Sequence, residues 1–248
     1  MSAAAYRISA FAFSIVCYGV FLLVFLYLLA FLSNLQATAL ADVLPMIRAL
    51  VSKSIDLGRD MGSPAAAILV NVGLVALFGL EHSLMARPGF KRVWTRSVPK
   101  ELERSLYVLI ASAVLALLIW QWRPIPTPVL WHADAAWSVA LGWSVMVLGV
   151  LVLLWATFLI DHFELFGLRQ GWSTLRGGEL RGPAFVTPYL YMIVRNPLRS
   201  PLRLYKYHIG RKRRQIGGLT FLFICYFVLL SALFSASTSG SPVVSAPM

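Results

Sequence analysis

Apolar residues fall in five long blocks, Phe11 to Leu32, Pro64 to Leu84, Ser105 to Trp122, Ala135 to Ile160 and Ile216 to Ser235. Each approaches the roughly 20 residues that an α-helix needs to cross a bilayer. The pattern predicts an all-α fold, a polytopic transmembrane helix bundle with about five membrane-spanning helices. Between the first two blocks, Leu40, Val43, Leu44, Ile47, Leu50 and Val51 recur at helical spacing, with Asp42, Arg48 and Lys53 elsewhere. That spacing predicts one amphipathic helix lying in the interface. Residues 1–235 read as one integral membrane domain, and residues 236–248, rich in Ser, Ala, Pro and Val, as a disordered tail. The first block outlasts a signal-peptide core, so an anchor is expected there and not a cleaved leader.

Composition strengthens this reading. Of 248 residues, 59% are hydrophobic and only 13% charged, and the mean hydropathy is +0.75, so lipid replaces water as the main solvent. The net charge of +12 lies in loops beside apolar blocks, which points to headgroups and topology and away from nucleic acid. Lys and Arg number one before the first block, three in Ser33 to Ser63, six in Arg87 to Arg104, one in the next loop and eleven in Asp161 to Gln215. The alternation predicts a cytoplasmic N-terminus. On the opposite side Trp120, Trp122, Trp131 and Trp137 bracket a Pro-rich turn, as an interfacial aromatic belt does. Cys17 and Cys225 sit inside apolar blocks, which excludes a disulfide framework or a CxxC site.

Candidate chemistry gathers at the same ends of the blocks as the positive charge. Glu81-His82 closes the second block, and ionisable groups at membrane depth are costly and usually functional, although an interfacial position lowers that cost. Arg87, Lys91, Arg92 and Arg96, with Trp94 among them, read first as positive-inside topology and headgroup contacts. Glu101 and Glu103, with Arg104, open the third block, where acids suit a helix N-terminus. Asp161-His162-Phe163-Glu164 closes the fourth; Asp161 and Glu164 share a face at i, i+3, and acids at a helix C-terminus oppose the macrodipole, so something else should hold them. A metal is not expected, because only His82 and His162 are well placed as ligands. Neither GxGxxG nor GxSxG occurs, so a Rossmann-type nucleotide site and a serine-hydrolase elbow are both excluded. The segment Thr187 to Leu198 carries Tyr189, Tyr191, Arg195 and Asn196 ahead of Pro197.

Taken together, Glu81-His82-Ser83, the run Met85 to Trp94, Glu103-Arg104-Ser105, Asp161 to Leu168 and Thr187 to Pro197 resemble the bacterial methanethiol S-methyltransferases. These are nurim-like membrane proteins related to NnrU and to isoprenylcysteine carboxyl methyltransferases. The resemblance covers roughly residues 10–198. It implies methyl transfer from S-adenosylmethionine to a small thiol, methanethiol, giving dimethyl sulfide, in a bacterial inner membrane. Under it His82, His162 and Glu81 are the catalytic residues, with either histidine the natural general base. Arg195 suits the cofactor carboxylate, and Tyr189 or Tyr191 the sulfonium, with Asn196 beside them. Glu103, Arg104, Asp161 and Glu164 serve the substrate or the structure. The chain departs from the family at Asn196, where histidine is usual, and after Leu198, where it turns basic and has no acidic residue beyond Glu179. That departure keeps open a second reading, a non-catalytic, degenerate or NnrU-like accessory membrane protein.

Overall fold

The computed structural model of the chain describes residues 2–59, 62–85, 87–125 and 136–178. Four helices long and apolar enough to cross a membrane occupy the first four blocks: α1 (Ala3–Leu32), α4 (Pro64–Met85), α6 (Glu103–Gln121) and α7 (Ala136–Ile160). The shortest has 19 residues, about 28 Å at 1.5 Å per residue, close to a hydrocarbon core. Leu23, Leu69, Leu80 and Leu148 are each more than 60% exposed on these helices, an arrangement that water penalises and lipid does not. Among the described residues the regular structure is all helical, and these four helices make the chain an integral membrane protein. The expected fifth span, the tail and Trp131 lie outside the described residues.

Shorter helices fill the connections: α2 (Ala39–Val43), α3 (Met46–Leu50), α5 (Pro88–Trp94), α8 (His162–Leu165) and α9 (Leu168–Leu175). Two of these correct the expectations. The amphipathic segment is two helices and not one, because Pro45 lacks an N–H and pushes Leu44 out of the helical region, to φ −121° and ψ 81°. The acids of Asp161 to Glu164 do not end a helix but begin one. Helix α7 stops at Ile160, Asp161 takes a left-handed φ of 90°, and its side chain caps α8 by accepting the Glu164 N–H at 3.1 Å. Their charge therefore complements the α8 dipole.

The chain forms two compact units. Of the described residues, the second comprises 24–59, 62–78, 114–125 and 136–150, and its core includes Leu28, Phe31, Leu32, Ile55, Leu118 and Ile119. Two buried amides there are paired: Asn34, in the left-handed region, donates to Asp56 at 2.6 Å, and Asn71 exchanges two bonds with the Arg123 backbone at 2.7 and 2.9 Å. Trp120 and Trp137 are exposed as belt residues are, whereas the Trp122 indole turns inward and donates to the Ile55 carbonyl at 3.1 Å.

Of the described residues, the first unit comprises 2–23, 79–85, 87–113 and 151–178, and it carries the described site residues. Its tightest packing brings α9 against α1 and α6 through small residues. A Cβ on Gly167 meets the Ser105 backbone nitrogen at 2.7 Å, and one on Gly171 meets Ser14 Oγ at 2.6 Å. Ser105 donates to Ser14 across this contact at 2.9 Å, so both hydroxyls are paired where no water reaches.

Candidate functional site

Ionisable and aromatic side chains form two clusters in the first unit. The first is built by α4, α5 and α6. Glu81 and Met85 lie one turn apart on α4. The chain then leaves α4 through extended Arg87, as an X-Pro step favours, and Pro88 starts α5. On α5, Phe90 and Trp94 stack at 5.5 Å in i, i+4 register. Glu103, Arg104 and Tyr107 belong to the first turns of α6. A cavity is lined by Met85, Phe90, Lys91 and Trp94 on one side of the sequence and by Glu103, Arg104 and Tyr107 on the other. Lys91 and Glu103 pair within it at 2.8 Å.

Beside the cavity, the His82 and Tyr107 rings are 5.3 Å apart, and the Glu81 and Arg104 charges act on the Tyr107 hydroxyl. The Glu81 side chain is only 10% exposed, and neither of its oxygens has a hydrogen bond; His82 Nδ1 lies 3.5 Å from Oε2. The Tyr107 hydroxyl and Trp94 Nε1 are buried without an acceptor. Leaving such a group unsatisfied costs about 1–3 kcal/mol. Trp94 and Tyr107 line the cavity, and Glu81 lies one turn of α4 before Met85, which lines it too.

The second cluster surrounds His162, and its bonds are closed. The Thr157 hydroxyl gives its hydrogen to the Leu154 carbonyl at 2.7 Å, so it accepts from His162 Nδ1 at 2.9 Å. Nε2 then carries the lone pair and accepts from the Tyr18 hydroxyl at 2.9 Å. Phe158 stacks on the imidazole at 4.5 Å, Phe166 lies at 4.7 Å, and Tyr18 and Phe163 meet it edge-on. Arg169 pairs with Asp161 and reaches Glu164 at 3.8 Å, which supplies the partner those acids required.

Burial holds the His162 pKa below its usual value, the neighbouring Asp161 carboxylate opposing this more weakly. The stabilisation is therefore present above about pH 6.5, where the unfolded imidazole is also neutral, and is lost as pH falls through the lowered folded value. We expect the melting temperature of the detergent-solubilised protein to drop between pH 7.5 and 5.5, and this drop to shrink in His162→Gln. An equal drop in the variant refutes the assignment.

The structure thus joins Glu81, His82, Glu103 and Arg104 in one cluster and places His162, Asp161 and Glu164 in the other. Tyr189, Tyr191, Arg195 and Asn196 lie outside the described residues. Sequence reasoning assigned no role to Tyr107, Tyr18 or Thr157, and gave Trp94 only a place among the basic headgroup-facing residues. The Glu103-x-x-x-Tyr107 and Phe90-x-x-x-Trp94 spacings were available signals for two of them, whereas Tyr18 lies 144 residues from His162. Among the described residues no three His, Cys, Asp or Glu side chains are grouped to hold a metal ion.

The chain is 45% identical over 195 residues to methanethiol S-methyltransferase 2 of Bradyrhizobium diazoefficiens, an alignment covering 77% of this chain and 68% of that protein. It is 49% identical over 133 residues to methanethiol S-methyltransferase of Mycobacterium tuberculosis, covering 53% of this chain and 54% of that one. Human nurim is 37% identical over 110 residues, 42% of each chain. No family model matches the chain, and no solved structure does.

Proposed function

The chain belongs to the methanethiol S-methyltransferase family, and from that membership we propose that it methylates methanethiol with S-adenosylmethionine, releasing dimethyl sulfide and S-adenosylhomocysteine. The observation that carries the residue assignment is the Glu81 carboxylate, buried beside the cavity with both oxygens unbonded. A thiol is a poor nucleophile until its proton leaves, and an acceptor with unused capacity is what that step requires. Glu81 takes the proton, and His82, 3.5 Å away, orients the carboxylate. His162 supports the site: its Nε2 lone pair is already engaged by Tyr18, which favours positioning over proton transfer.

S-adenosylmethionine, when bound, supplies the methyl carbon: the thiolate forms the new S–C bond as the sulfonium–carbon bond breaks, its electron pair staying on the departing sulfur. The described cavity, with a soft apolar wall at Met85 and Phe90, fits the thiol side of that reaction. Arg195, Tyr189, Tyr191 and Asn196 hold the donor's carboxylate and sulfonium side, an assignment resting on family resemblance.

Methanethiol partitions into lipid while the donor is polar and cytosolic, so we place the site at the cytoplasmic face of a bacterial inner membrane, in keeping with the Lys and Arg distribution. An N-terminal tag cleaved by protease outside intact cells refutes this orientation. The activity is tested by headspace dimethyl sulfide from cells supplied with methanethiol, against an empty vector. Product is expected. No product, with the protein folded in the membrane, favours the non-catalytic reading that Asn196 and the basic stretch after Leu198 keep in view.

A further inference from the structure

The cavity between α5 and α6 is lined by two side chains whose donors have no role in the proton transfer assigned to Glu81. Trp94 and Tyr107 both line it, and Trp94 Nε1 and the Tyr107 hydroxyl are buried with no acceptor. An indole N–H can only donate. Lys91 is already committed to Glu103 at 2.8 Å, and the Arg104 guanidinium also lines the cavity, so an anion there meets two neutral donors in a positive surrounding. Met85 and Phe90 supply a thioether and an aromatic ring, surfaces suited to a polarizable sulfur and a methyl group.

Resting on the methyltransfer reading above, we propose that Trp94 and Tyr107 hold the thiolate of the substrate, the indole N–H and the phenolic O–H donating to its sulfur. Neutral donors suit this task. A direct ion pair with Lys91 would stabilise the thiolate but also hold its lone pairs, whereas two hydrogen bonds favour ionisation and leave a lone pair for attack. The proton passes from S–H to a Glu81 carboxylate oxygen and then to water after product leaves. The two residues therefore determine both where the sulfur sits and how readily it ionises.

The test uses the full chain in micelles with 15N-labelled tryptophan, the Trp94 indole resonance being identified by its loss in Trp94→Phe. Methanethiol, added without methyl donor, is expected to shift that resonance saturably. Tyr107→Phe should raise the half-saturating concentration about tenfold, the equivalent of one hydrogen bond to a charged group. In turnover, Trp94→Phe and Tyr107→Phe should each raise KM for methanethiol about tenfold and move the rising limb of kcat/KM to higher pH, with KM for S-adenosylmethionine unchanged. A Trp94 resonance that does not respond to methanethiol overturns the proposal, as does a Tyr107→Phe protein that binds the thiol like wild type. The Tyr107→Phe turnover comparison stands alone if Trp94→Phe does not fold. A resonance that titrates in a protein making no dimethyl sulfide keeps the thiol site and refutes the methyltransfer reading instead.

Discussion

Gly167→Ala is expected to lower stability by about 3 kcal/mol, a large share of the total for a protein whose margin is of order 5–15 kcal/mol. Two effects add. Gly167 has a φ of +86°, where an L side chain costs about 1–2 kcal/mol. The new Cβ also meets the Ser105 nitrogen at 2.7 Å and Cα at 3.1 Å, backbone atoms that move only if α6 and the start of α9 separate. Gly171→Ala meets Ser14 Oγ at 2.6 Å and Cβ at 2.9 Å, so it also destabilises, by less, because its contact is with a side chain. Gly19 provides the control: nothing lies within 4 Å of its Cβ position in α1, and alanine there should be neutral or stabilise by up to about 1 kcal/mol. Melting temperatures of the three variants in one detergent decide the matter. Similar values for Gly167→Ala and Gly19→Ala would show that the contact of α9 with Ser105 is not tight.

What the sequence made legible follows from the range of each interaction. Spanning helices are specified by local apolar length, and three boundaries, Leu32, Pro64 and Ile160, emerge as read. Helix α1 begins at Ala3, eight residues ahead of the apolar block, because Tyr6, Arg7 and Ser9 interrupt hydropathy without interrupting the helix. The break at Pro45 was visible in the residue itself; apolar spacing concealed it. Asp161 is different in kind. Its anomaly, an acid where the dipole disfavours one, was readable, but the left-handed turn that makes it a cap depends on Arg169 and the packing beyond. Gly167 and Gly171 owe their importance to Ser105 and Ser14, far away in the chain. The same holds for the site: Glu81-His82 announces itself as charge at membrane depth, while Trp94 and Tyr107 become partners only when α5 folds against α6.

Glu81→Gln should reduce turnover at neutral pH by about 10²–10⁴-fold, the range for losing a positioned general base. The amide preserves size and burial but cannot accept the thiol proton. Because the defect lies in forming the thiolate, it should narrow as the pH rises toward the thiol's own pKa, where solvent ionises the substrate without help. A loss that stays constant with pH points to a structural or binding role. Stability is expected to move the other way. A carboxylate held 10% exposed without a hydrogen bond is a cost to the fold, so the neutral amide should hold or raise the melting temperature even as activity falls. A structural carboxylate would show the reverse, with both quantities falling together. His82→Gln separates the neighbours: if it orients Glu81, it costs less than Glu81→Gln and leaves the pH dependence in place. If His82→Gln costs as much and flattens the profile, the proton goes to the imidazole and Glu81 is the group that orients it.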